Sequence, residues 1–132
     1  MSDISELLFE ANTSIIKKMF ENICNEYELN PKYHVKRTYE ENKLVGFWVY
    51  EDEADGYRNL LEGHYIGKDR FMALKMYKEM SKGISKLRAK VQKVNDRVWK
   101  TYLRIGFKII VDDGINYLLE KGGKSWAKQS AA

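Results

Sequence analysis

Apolar and polar positions change period several times along this chain, and each change predicts an element. From residue 3 to 28, Ile4, Leu7, Leu8, Ala11, Ile15, Ile16, Met19, Phe20, Ile23 and Tyr27 recur every three or four residues. That spacing predicts an amphipathic helix with a broad apolar stripe. Ser2 or Asp3 can cap its start, and Asn12-Thr13-Ser14 can divide it in two, with Thr13 as a second cap. Asn30-Pro31 ends it, because the residue before proline is pushed out of helical geometry. The period then falls to two: Tyr33, Val35, Arg37 and Tyr39 alternate with polar neighbours, and Glu40-Glu41-Asn42 reads as a turn. Leu44–Tyr50 is continuously apolar, as in a strand covered on both faces. After the acidic loop Glu51–Gly56, with its Asp-Gly turn signal, Tyr57–Ile66 returns as a third strand. The three form an antiparallel meander.

The second half repeats the alternation on a larger scale. Phe71–Lys82 carries Met72, Met76 and Met80 at four-residue steps, joined by Phe71, Leu74 and Tyr77, which predicts a core-facing helix. Leu87, Ala89 and Val91 alternate with Lys86, Arg88 and Lys90, predicting a strand with one apolar face. Asn95 then offers an N-cap, Val98, Trp99, Tyr102 and Leu103 share one helical stripe, and Gly106 stands where a left-handed stop is wanted. Lys108–Val111 and Asn116–Leu119 flank Asp112-Asp113-Gly114 as a terminal hairpin. Residues 1–121 read as a single domain, and 122–132 as a small, polar, frayed tail.

Composition changes this picture little. At 132 residues with 44% apolar and 13% aromatic content, the chain can bury a core without disulfide or metal. The single Cys24 cannot form an internal disulfide and reads as a small apolar filler, which favours a reducing, cytoplasmic setting. No apolar run approaches a membrane span, and no signal peptide or metal-ligand pattern is evident. Charge is more informative. Lys82–Lys108 holds nine Lys/Arg and one acid, so it carries +8 against −4 for the remainder. A basic segment of this kind suits an anionic partner, or simply a solvated face. Nucleic acid is the weaker candidate, since no stacking platform or reading motif accompanies the charge.

Two places offer chemistry. In the third strand Gly63 marks a bulge or a close approach, and Glu62 and His64 fall on one face beside it. Such a pair can deprotonate an amine, or can be an ordinary polar pair. At the start of the methionine helix, unpaired N–H groups flanked by Lys68 and Arg70 would favour a phosphate.

The order of helix, three strands, helix, strand, helix and two strands resembles the GNAT superfamily of acetyl-CoA-dependent N-acetyltransferases. Many members carry an asparagine after the fifth strand, a small residue three later, a tyrosine seven later and Gly-Phe four after that. Asn95, Val98, Tyr102, Gly106 and Phe107 hold that register, with Val98 in place of the usual alanine. The resemblance runs from about Tyr33 to Leu119. It implies an α/β (α+β) fold with a mixed, mostly antiparallel sheet of about six strands flanked by helices. It further implies Tyr102 as proton donor to the departing thiolate and Asn95 as a contact to the pantetheine arm of acetyl-CoA. The bulged strand that hydrogen-bonds the pantetheine and can supply a base would be that of Glu62, His64, Tyr65 and Ile66, with Arg70 and Ala73 in the pyrophosphate loop and Lys68 beside it. That loop departs from the family's Arg/Gln-x-x-Gly-x-Gly/Ala: Ala73 and Lys75 stand at the glycine positions. The family's first strand is also missing. The implied function is acetyl transfer from acetyl-CoA to an amine. The alternative is an inactive GNAT-like binding or structural protein with a protein partner, similar in size and ending to tailed-phage virion and accessory proteins.

Overall fold

The computed structural model describes residues 2–122, with side chains described from residue 15 onward. The chain runs α1 (Ser2–Glu28), β1 (His34–Glu40), β2 (Lys43–Asp52), β3 (Arg58–Tyr65), α2 (Arg70–Met80), β4 (Lys86–Gln92), α3 (Asp96–Arg104), β5 (Lys108–Asp112) and β6 (Asn116–Gly122). The six strands form one sheet in the order β1-β2-β3-β4-β6-β5, antiparallel except for the β3–β4 pair. This is the predicted mixed, mostly antiparallel α/β architecture. The predicted frayed tail lies outside the described residues except for Gly122, which pairs with Lys86 at the end of β6. Among the described residues no helix is long and apolar enough to cross a membrane.

Each face of the sheet has its own core. On one face α1 lays Phe20 and Cys24 against Leu44, Phe47 and Val49, all buried. On the other, Met80 of α2 meets Tyr50, Leu60, Leu87, Ala89, Val91, Phe107 and Leu119, with Trp99 and Tyr102 of α3 packed against them. β2 is buried on both faces, as its unbroken apolar run predicts. The β1–β2 hairpin turns through Glu41 and Asn42, both at positive φ (51° and 65°), the geometry whose twist matches paired strands.

Three local expectations are corrected. Helix α1 runs unbroken through Asn12-Thr13-Ser14. A second helix start there would demand a fresh nucleus, which costs more than three mediocre helix formers do in place. In α2 the methionine stripe is inward at Met76 and Met80, but Phe71 and Leu74 are exposed. Finally, Asn95 occupies the N-cap of α3 without a side-chain cap bond; its carbonyl instead accepts from Val98 and Trp99 N–H at 3.0 and 3.3 Å.

The other end of α3 closes as predicted. Gly106 has φ +103°, its N–H donates to Leu103 O, and Phe107 N–H donates to Tyr102 O at 3.0 Å. This is a Schellman motif, and the Tyr102 ring meets the Phe107 ring edge-on at 4.8 Å, the apolar contact that accompanies it. Tyr102 is therefore fixed by both its backbone and its ring. The basic face of β4 also has a structural partner. Arg88 bridges Glu120 on β6 and Glu53 and Asp55 of the acidic β2–β3 loop, at 2.9, 3.4 and 3.1 Å.

Candidate active site

A bulge opens the site. In the β2–β3 ladder Val49 faces Glu62 and Tyr50 faces Leu60, so Leu61 has no partner. An extra residue bends and twists its strand. β3 and β4 accordingly stay together for only three pairs, ending at Leu60 and Ala89. Beyond that point β3 pairs only with β2, and β4 only with β6. The two strands diverge and leave backbone edges facing a slot. Of the two roles open to Gly63, the bulge falls instead at Leu61. Gly63 serves close approach: a Cβ there would sit 2.5 Å from the Trp48 ring.

Against the freed end of β3 lies a cavity of about 680 Å³ between α2 and α3. Trp48 and the end of β3 form its floor, Ala73, Leu74 and Tyr77 one wall, and Arg97, Val98, Thr101, Tyr102 and Ile105 the other. Neither Phe71 nor Trp99 plugs it. Phe71 is 81% exposed, and Trp99 packs edge-on against Tyr117 with its indole N–H on Lys93 O.

Of the predicted site residues, Tyr102, His64, Tyr65 and Ala73 reach this cavity; Glu62, Ile66, Lys68, Arg70 and Asn95 do not line it. Ile66 packs into the α1-side core, and its N–H donates to Val45 O at 2.8 Å. Glu62 and His64 do meet, with Nε2 and Oε1 3.2 Å apart, and the His64 ring packs on Phe20 and Phe47. The pair therefore sits on the α1 side of the slot, while Tyr102 sits on the α3 side. The reading of the sequence missed Trp48, Tyr77, Arg97 and Thr101. Arg97 and Thr101, four apart, flank Val98 and Tyr102 on the α3 stripe, a signal that periodicity could have supplied.

Burial pushes the Tyr102 phenol well above its ordinary pKa, with Tyr77 a lesser cause. Tyr27, beside Glu62, is pushed up to about 12, by burial first and by the Glu62 carboxylate second. Both therefore stay protonated through mildly alkaline pH. A raised folded-state pKa means the unfolded chain releases its proton first. The stability they contribute is full below about pH 10 and falls as pH rises toward the folded values. The urea midpoint is expected to decline between pH 10 and 12, and less steeply in Tyr27→Phe.

The start of α2 differs from expectation. Its N-cap is Asp69, whose carboxylate accepts from Phe71 N–H at 2.9 Å. Its carbonyl accepts from Met72 and Ala73 N–H at 3.1 and 3.3 Å. The Phe71, Met72 and Ala73 amides are engaged within the chain, and Arg70, Ala73 and Lys75 lie in helix. The slot thus suits an apolar, amide-bearing arm, whereas the helix start does not suit a diphosphate.

No protein-family model and no curated protein matches this sequence. Solved structures do match the fold. The PaiA N-acetyltransferase of Thermoplasma acidophilum, in complex with coenzyme A, superimposes with a TM-score of 0.60 at 21% identity, over 70% of this chain and 62% of that one. The chain thus spans less than two-thirds of that protein's length. The N-acetyltransferase PseH of Campylobacter jejuni gives 0.60 at 16% identity, over 95% of this chain and 92% of that one. A GNAT family acetyltransferase from Elizabethkingia anophelis with acetyl-CoA bound gives 0.59 at 13% identity, over 77% and 82%. The bulged β3, the splayed slot and the Schellman-locked tyrosine stand in a chain that has the fold of the GNAT acetyltransferases.

Proposed function

We propose that this chain is an acyltransferase that moves an acetyl group from a coenzyme A thioester to an amine by direct transfer. The observation that carries this is the parting of β3 from β4, which leaves the end of β3 lining the same cavity as Tyr102. A thioester supplies an activated acetyl carbonyl and a thiolate leaving group. The protein's own groups supply the rest. The diverging backbone edges of β3 and β4 offer N–H and C=O groups to an amide-bearing arm. Tyr102, held as a phenol, donates a hydrogen bond where negative charge develops on sulfur. Outright proton transfer from so weak an acid to a thiolate is uphill, so donation is its main contribution. Glu62 and His64, which meet on the opposite side of the slot, would take the proton released by an attacking amine.

A second reading is a GNAT-like chain without catalysis, a binding or structural protein such as a phage virion or accessory component. What favours it is the Asp69 cap at the place where the family pattern puts phosphate-binding amides. Thermal unfolding with acetyl-CoA separates the two. A ligand bound only by the folded state at 100 times its Kd adds about 2.7 kcal/mol. A rise of several degrees in Tm at millimolar acetyl-CoA, with acetyl transfer to an amine, is the expected result. No rise and no transfer would leave the non-catalytic reading standing.

A further inference from the structure

We propose that the acyl donor is recognised through its phosphopantetheine arm, and that the nucleotide end of coenzyme A stays outside the binding contacts. This rests on the acyltransferase reading and specifies its donor: acyl thioesters of phosphopantetheine, whether the arm ends in a nucleotide or on a carrier protein. A diphosphate at a helix start is held by free amides and by the positive end of the helix dipole. Here Asp69 engages the N–H groups of Phe71, Met72 and Ala73 and places a carboxylate at the helix end. The cap is braced from below. Asp69 N–H donates to Tyr65 Oη at 3.1 Å, and that hydroxyl donates to Glu40 Oε1 at 3.0 Å. Gly67 lies against the Tyr65 ring so closely that a Cβ would be 2.1 Å from the hydroxyl. Rotating the Asp69 side chain would release Phe71 N–H alone, because Met72 and Ala73 N–H are held by the Asp69 carbonyl, and in the observed rotamer the Asp69 carboxylate stands at the helix start.

The cavity has the opposite character. Trp48, Tyr77, Val98 and Ile105 give it apolar walls, and the slot offers backbone edges for the arm's two amides. Among the described lining residues Arg97 is the only Lys or Arg. One guanidinium can pair with one phosphate, in bidentate fashion, and makes no cradle for two.

The test compares acetyl-CoA with S-acetyl-4′-phosphopantetheine by calorimetry on the full chain. Their Kd values are expected to agree within about threefold, well under the tenfold that 1.4 kcal/mol would give. An acetyl-CoA affinity more than about 30-fold the greater would show that the nucleotide end is held and would overturn this inference alone. If neither ligand binds, the acyltransferase reading falls with it. Asp69→Asn, which keeps a capping oxygen and removes the charge, and Asp69→Ala, which removes both, add an independent arm. At least one is expected to shift the ratio toward acetyl-CoA by about tenfold. An unchanged ratio in both would show that Asp69 does not exclude the diphosphate and would overturn the proposal.

Discussion

Tyr102→Phe is expected to lower kcat for acetyl transfer by roughly 10²- to 10³-fold, the usual loss when one preorganised donor to a developing anion is removed. The ring itself is secured by the Schellman motif and by its edge-on contact with Phe107, neither of which needs the hydroxyl. No hydrogen bond joins that hydroxyl to another of the described residues, so its removal orphans nothing. Stability should accordingly hold within about 0.5 kcal/mol. The donor's KM should change little, because an interaction made mainly in the transition state is lost from kcat and kcat/KM together. Steady-state kinetics with a denaturation curve checks both halves. An unchanged kcat would remove Tyr102 from the chemistry.

The largest effect on folding is expected at Phe47→Ala, about 3–5 kcal/mol. Phe47 is fully buried in the middle of β2 and meets Phe20 of α1 edge-on, with ring centres 5.0 Å apart. Truncation would leave a cavity between α1 and the sheet and remove the surface on which the His64 ring rests, 5.1 Å away. With total stability of the order of 5–15 kcal/mol for a domain, that is a large fraction. The urea midpoint should fall sharply at constant m. Phe71→Ala is the control: the same residue type, 81% exposed, should cost within about 0.5 kcal/mol. Equal losses at the two positions would mean that α1 does not dock as described.

How far the sequence revealed this molecule varied with the range of the interaction involved. The strands, the helices and the Gly106 stop were legible because periodicity and φ preference act within a few residues. The register Asn95–Phe107 placed Tyr102 in the cavity wall, although Asn95 itself contributes its carbonyl and not its side chain. The Asp69 cap was hidden by a single residue of boundary. A helix beginning at Phe71 leaves Asp69 outside it, and Lys68 and Arg70 then suggest an anion site. A helix beginning at Arg70 makes Asp69 the cap. Gly63 left two roles open for a different reason. Its missing side chain serves the cross-strand Trp48 ring, a non-local contact, while the bulge arises two residues earlier at Leu61. Trp48 and Tyr77 were likewise invisible as site residues, since only the assembled sheet and α2 bring them together.

The central claim is that the slot between β3 and β4 takes a thioester arm. It is tested most directly by recording amide chemical shifts of the labelled protein as S-acetyl-4′-phosphopantetheine is added. Changes should concentrate on residues 61–65 of β3, residues 90–92 of β4 and the cavity face of α3 around Val98 and Tyr102. Spectra that stay unchanged at millimolar ligand, or change only outside the slot, such as along the exposed edge of β5, would contradict it.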